Sequence, residues 1–356
     1  MEIMKYAFLP SSMKDVLVGF QKKNFFEVAS NMNKIYAVLF AILLILIIFL
    51  SGCAKQPKLP IDERSFLVGT AGFVPRNYPN STDDDWKDFF DEVLSLGEVF
   101  GAYLTWDDTD QIETAAGLGL NTIFAVGYNI DAVNNSYFEY NKEGYRNTIL
   151  NILELYSPEY IAIGVEVNSL IYKVSQHAFN EFVDFYIETY DVIKEKYPDT
   201  KVFTIFQLEM MKGKARLMGL DLEPHWYVIQ QFQNKLDLIG FTAYPFLDYE
   251  SVYDIPKDYY REILNYTDRP IAFTEMGWPT NSNIVSGNEI DQVEFFLDIL
   301  NATKYLDVEL FIHPFLHDAP FNIEIFQSIG LKTNNGREKL IYNYWQALVD
   351  LPINNT

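Results

Sequence analysis

Two glutamates stand where a charge is expensive. Glu166 lies near the end of "IAIGVEVN" and Glu275 near the end of "IAFTEMGW", each closing an apolar run. A carboxylate in such surroundings is costly to bury without a partner, so two of them suggest a converging pair. Paired carboxyl groups are what breaking a glycosidic bond requires. One gives a proton to the leaving oxygen while the other attacks or stabilises the sugar cation. Carboxyls titrate near roughly 4 when unperturbed, so the acid of the pair must be raised by burial or by its neighbour's charge.

Further chemistry-bearing groups sit at comparable places. Gln207 and Glu209 end "KVFTIFQLE", Tyr244 lies near the end of "LDLIGFTAYPF", and Trp106 precedes Asp107 and Asp108. His317 and Asp318 end "VELFIHPFLHD", and Asn168 follows Glu166 by two residues. Glu209 is a third carboxylate that could act in place of Glu166. Tyr244 reads equally as a core residue or as a hydroxyl donor. Trp106 reads as packing or as a stacking platform, and His313 and His317 as structural residues or as lining of a cleft.

Eight apolar runs carry these groups: 65–73, 98–106, 121–129, 159–167, 201–209, 236–246, 270–278 and 308–318. Their near-continuous Val, Ile, Phe and Thr content is that of strands covered on both faces. Amphipathic segments alternate with them. Residues 81–97 begin with Ser/Thr caps and an acidic turn, 175–199 stop at Tyr197-Pro198, and 286–305 repeat apolar residues at three and four. The count predicts an α/β fold, a single (β/α)8 TIM barrel over 65–350, with 351–356 as a tail. A doubly wound sheet is the competitor, but "VGTAGFVP" lacks the Gly-x-Gly-x-x-Gly spacing of a phosphate loop. In a barrel the strands' carboxyl ends face the active site, which is where Glu166 and Glu275 fall.

Composition narrows the function. Of 356 residues 49% are apolar and 16% aromatic, which argues for a folded core. A net charge of -22 with no long basic run argues against a nucleic-acid partner. Four histidines and one cysteine make no zinc-type cluster, so neither a metal nor another cofactor is expected, and no disulfide can form within the chain.

The amino terminus reads as an address. Residues 36–50 form an uninterrupted apolar run, short for a span of about 20 residues and right for a secretory signal. Leu50-Ser51-Gly52-Cys53 resembles the lipobox of bacterial lipoproteins, which implies cleavage before Cys53 and its lipidation. "MNKIYAVLF" has the shape of a signal start, so translation from Met32 is expected; a plain signal-anchor helix is the alternative. Residues 1–52 are then a signal region and 53–64 a linker. The globular part is expected outside the cytoplasmic membrane, at the cell surface or in the periplasm, tethered to the membrane by lipid as a monomer. Its acidic surface would be repelled by anionic lipid, so the tether must hold it there.

"GVEVN" and "TEMGWP" resemble the acid/base and nucleophile stretches of glycoside hydrolase clan A, the TIM-barrel retaining glycosidases. The likeness is to its endo-β-galactanase and endo-β-glucanase families. "LDLIGFTAYPF" is similar to the clan's sixth strand, and 328–348 to its closing turn and helix. The resemblance implies a surface-anchored retaining hydrolase of β-linked saccharides. Glu275 would be its nucleophile, Glu166 its general acid/base and Tyr244 a donor to Glu275. Trp278 and Trp106 would stack on sugar rings, and Asn168, Gln207, Glu209 and His317 would line the binding cleft. Three positions depart from the clan. Val165 stands where it has an asparagine that contacts the sugar 2-hydroxyl, the arginine near its second strand is missing, and its eighth-strand tryptophan is not evident. A barrel that binds carbohydrate without cleaving it, or a transglycosylase, are the alternative readings.

Overall fold

The computed structural model describes residues 58–108, 112–220 and 222–354. The signal region, the Met32 start and Cys53 lie outside the described residues. Nine parallel strands run in chain order: β1 (Leu67–Ala71), β2 (Val99–Thr105), β3 (Asn121–Gly127), β4 (Tyr160–Ile163), β5 (Lys201–Phe203), β6 (Ile205–Gln207), β7 (Ile239–Ala243), β8 (Ile271–Met276) and β9 (Val308–His313). Their order in the sheet is β5-β4-β3-β2-β1-β9-β8-β7-β6. The two outer members are consecutive pieces of one strand parted only by Thr204. β5 pairs with β4 and β6 with β7, so the chain itself completes the ring. Each of the eight expected runs contains a barrel strand, the fifth in two pieces, and the fold is a (β/α)8 barrel.

The helices begin where their caps demand. α1 (Asp83–Val93) starts from Thr82, whose side chain accepts the Asp85 N–H while Asp85 accepts the Thr82 N–H, a reciprocal capping box. α2 (Ile112–Ala116) and α3 (Tyr137–Tyr156) follow β2 and β3. α4 (Gln176–Lys196) is capped by Ser175 and ends before Tyr197-Pro198, where the next residue's ring forbids another turn. α5 (Glu289–Ala302) is capped by Asn288, and α6 (Leu340–Val349) closes the fold. After β6 and β7 the crossovers use 3-10 turns, Trp226–Phe232 and Arg261–Asn265, in place of long helices.

Strand alternation divides the core into two layers. Ala71, Val99, Ile123, Ala125, Ala162 and Leu310 fill the barrel interior, while Phe100, Phe124, Ile161, Phe273 and Phe311 face the helices. Behind β3 and β4 the outer layer is aromatic: Phe138 and Tyr145 of α3 pack on Phe182 and Phe185 of α4. Each such ring stabilises the fold by roughly 1.5–3 kcal/mol through burial. The chain's entry and exit are clasped together. Arg64 is buried, ion-paired with Glu98, and its backbone bonds to Pro352 and Asn354. Among the described residues, no helix is long and apolar enough to cross a membrane.

Candidate active site

Glu166 reaches the barrel mouth through an irregular strand end. Gly164 has φ +82°, and a Cβ there would sit 2.6 Å from Phe182 Cζ, so only glycine fits. Glu166 itself is left-handed, with φ 50°, a conformation that is uncommon without glycine and costs free energy. The turn Val167–Ser169 follows it directly. Thr242 Oγ1 of β7 donates to Glu166 Oε1 at 2.8 Å.

A register irregularity orients Glu275. On β8, Ala272 faces inward and Phe273 outward, so strict alternation would send Glu275 outward as well. The pairing with β7 instead passes from Phe241↔Phe273 to Thr242↔Glu275, skipping Thr274. That extra residue restores Glu275 to the inner side and leaves Met276 in the outer layer. There the Tyr244 hydroxyl donates to Glu275 Oε2 at 2.7 Å. Tyr103, inward-facing on β2, donates its hydroxyl to the Thr274 carbonyl at 2.9 Å. It lies in the field of both carboxylates, with Glu275 the stronger influence.

The two glutamates share an electrostatic environment. Burial, and then the Glu166 charge, push Glu275 up to about 7, against the pull of Tyr244 and Tyr103. Burial also raises Glu166, opposed first by the Thr242 hydrogen bond and then by the Lys173 charge. Two like-charged groups so placed, each half-buried, resist double ionisation, so the pair holds one proton more readily than separate carboxyls would. Each ionised form has one hydroxyl donor: the Tyr244 phenol for Glu275 and the Thr242 hydroxyl for Glu166. The arrangement is two half-buried, hydrogen-bonded carboxyls within each other's field, at the carboxyl ends of two parallel strands.

The other predicted residues lie elsewhere. Trp278 is fully buried, its Nε1 donating to the Ser286 carbonyl and its ring against Phe246 and Phe295, so it offers no free face to a sugar. Trp106 stacks on Tyr145 and donates to the Tyr137 hydroxyl, within the outer aromatic layer. Asn168 is fully buried and exchanges hydrogen bonds with the backbone of Gln207. Its Nδ2 also donates to His225 Nε2, which leaves the His225 proton on Nδ1. Gln207 caps the following turn, and Glu209 lies fully buried behind Tyr244.

His317 donates to the Val74 carbonyl beside a separate side cavity of about 410 Å³, between α1 and residues 332–336. Neither Glu166 nor Glu275 lines that cavity. His313 donates to the Phe315 carbonyl and burial lowers it to about 3, so it is neutral at ordinary pH. Tyr103 and Thr242 escaped sequence reasoning. Both lie inside apolar strands, and the available signal was their inward phase, two residues on from Gly101 and Gly240.

No family model matches the chain, and neither does any curated protein. Solved structures do. An active-site mutant of Rhizomucor miehei β-1,3-glucanosyltransferase, in complex with laminaritriose, is 14% identical with a TM-score of 0.54, covering 81% of this chain and 98% of its own. A family 1 β-glucosidase from Thermotoga maritima is 11% identical with a TM-score of 0.58, covering 83% and 100%. A family 39 glycoside hydrolase from Bacteroides cellulosilyticus is 15% identical with a TM-score of 0.53, covering 83% and 66%. At these identities the likeness establishes the fold, a (β/α)8 barrel that glycoside hydrolases also use.

Proposed function

We propose that the protein is a retaining glycoside hydrolase acting on β-linked saccharides. The observation that carries this reading is the anchoring of both carboxylates by the carboxyl end of β7: Thr242 donates to Glu166, and Tyr244, just past the strand, donates to Glu275. In the first step the ionised Glu275 attacks the anomeric carbon, the glycosidic C–O bond breaks, and Glu166 gives its proton to the departing oxygen. In the second, Glu166 takes a proton from water, the resulting hydroxide equivalent attacks the same carbon, and Glu275 leaves as carboxylate. Once Glu275 is esterified it no longer carries the negative charge that disfavours ionised Glu166, so one residue serves as acid and then as base.

Lipidation at Cys53 would hold this barrel at the outer face of a membrane, where saccharides of an envelope or of the surroundings are within reach. Because the neighbours include a β-1,3-glucanosyltransferase and β-glucosidases, β-1,3-glucan and aryl β-glucosides are the first substrates to try. Val165, packed on the inner core where the clan has asparagine, favours a second reading as a carbohydrate-binding barrel without turnover.

The test uses the full chain in mild detergent with a panel of β-linked polysaccharides and aryl glycosides. Glu275→Gln and Glu166→Gln are expected to lower hydrolysis by about 10²–10⁴-fold. Binding without hydrolysis of any substrate would overturn the enzyme reading, and products longer than the substrate would point to transfer.

A further inference from the structure

Glu209 is a buried carboxylate that two-carboxylate chemistry leaves unused. It is fully buried. Its Oε2 accepts from Gln207 Nε2 at 2.7 Å and from the Tyr244 N–H at 3.0 Å, while Oε1 accepts the Tyr259 hydroxyl at 3.1 Å. The Tyr244 N–H has particular need of it. Tyr244 lies one residue past the end of β7 and Pro245 follows, starting a 3-10 turn, so the ladder no longer supplies an acceptor. A buried N–H without a partner would cost about 1–3 kcal/mol. The Tyr244 ring is held separately, against Phe246 and Phe326.

Glu209 is in turn fixed from both sides. Asn168 bonds to the backbone of Gln207, which tethers the turn after Glu166 to the turn that carries Glu209. Lys212 donates to the Tyr259 carbonyl and lies 4.0 Å from the centre of its ring. Burial pushes Glu209 up to about 7, opposed first by the Tyr244 N–H.

We propose that Glu209 is a positioning residue, which by accepting the Tyr244 N–H fixes the backbone from which the Tyr244 hydroxyl donates to Glu275. The inference rests on the reading of Glu275 as the reacting carboxylate. It also supplies a function for a glutamate that is too deeply buried to touch a sugar.

The experiment reads the protonation of Glu275 without needing turnover. The full chain is treated with a carbodiimide and an amine across pH 5–9, and labelling of the protonated Glu275 carboxyl is followed by peptide mass spectrometry. Tyr244→Phe removes a hydrogen bond to the charged form, and the midpoint is expected to rise by about one pH unit. Glu209→Met keeps the side-chain length and removes both acceptors; the midpoint is expected to rise by a similar amount. Glu209→Gln, which retains one acceptor oxygen and serves if the methionine variant does not fold, is expected to rise by about half as much.

The sign discriminates, because removing a nearby negative charge would by itself lower the midpoint. Glu209→Gln combined with Tyr244→Phe is expected to match Tyr244→Phe alone, the mark of two residues acting through one bond. A midpoint that stays or falls on loss of Glu209, or effects that add in the double variant, overturns the proposal. Hydrolysis of the substrate panel is scored separately, so absence of turnover would sink the enzymatic reading without deciding this one.

Discussion

Thr242 Oγ1 donates to Glu166 Oε1 at 2.8 Å, although Glu166 follows β4 and Thr242 lies on β7, with β5 and β6 between them. The same threonine is registered opposite Glu275 on β8. With Tyr244 it makes β7 the common reference for both carboxylates, so their relative placement depends on one short extended segment. Side chains two residues apart share a face of a strand, which is why a threonine and a tyrosine can each hold one carboxylate.

Thr242→Val keeps the shape of the side chain and removes the hydroxyl. The ionised form of Glu166 then loses its hydrogen bond, so the pKa of Glu166 rises further. The basic limb of the activity profile, which reports loss of the acid's proton, is expected to move up by about one pH unit. A profile measured on an aryl glycoside checks this, and an unmoved basic limb would remove Thr242 from the account.

Stability should carry the opposite sign from that of ordinary surface carboxylates. Glu275 and Glu209 are raised from 4.5 to about 7 in the folded protein. Between those values the unfolded chain has released protons that the folded form keeps. The contribution of these two groups to stability is therefore greatest below 4.5, is lost as pH rises towards 7, and levels off above. Glu275→Gln removes the part due to that residue, and its melting temperature should exceed that of the native protein by about 2–4 °C at pH 8. Near pH 4.5 the two should converge. Thermal unfolding at both pH values checks the difference, and a gain of equal size at the two would contradict the assignment.

The legible part of the site was the part that strand phase and position dictate. Glu166, Glu275 and Tyr244 each close an apolar run, and the structure brings all three together. The inward turn of Glu275 was not legible, because it depends on skipping Thr274 in the pairing with β7, a relation between two strands that neither sequence contains alone. Trp278 failed for another reason. A tryptophan after a strand end reads the same whether it packs or stacks, and only the fold shows Phe246 and Phe295 on either side of it. Asn168, Gln207 and Glu209 look like ligands for a sugar because they are polar and near strand ends. They bond to one another and to backbone instead, and that network exists only once the turns after β4 and β6 meet.

The burial of Trp278 makes a stability prediction. Trp278→Ala leaves a cavity between Phe246 and Phe295 and an unpaired Ser286 carbonyl, at an expected cost of about 3–5 kcal/mol. Trp278→Phe fills most of the space and should cost less. Neither change should alter the affinity of whatever protein remains folded. Denaturant unfolding together with saccharide titration checks both halves, and a stable Trp278→Ala protein with weakened binding would restore the stacking role.

Tyr103 offers the complementary perturbation to Thr242. Its hydroxyl donates to the Thr274 carbonyl at the irregular point of β8, one residue before Glu275, and so holds the backbone that presents Glu275 to the Tyr244 hydroxyl. Tyr103→Phe keeps the ring in the barrel interior, so folding should be little affected. Loss of that anchor loosens the Tyr244 hydrogen bond to ionised Glu275 and raises its pKa, and on the proposed reading Glu275 must be ionised to attack. The acid limb of the activity profile should therefore move to higher pH, while the basic limb stays in place. At optimal pH kcat should fall by about tenfold or more with KM nearly unchanged, since the lost interaction acts on charge at the reacting centre. Thr242→Val and Tyr103→Phe thus move opposite limbs, and a pair of profiles distinguishes the acid from the nucleophile without reference to any relative. If both substitutions moved the same limb, the roles assigned to Glu166 and Glu275 could not both stand.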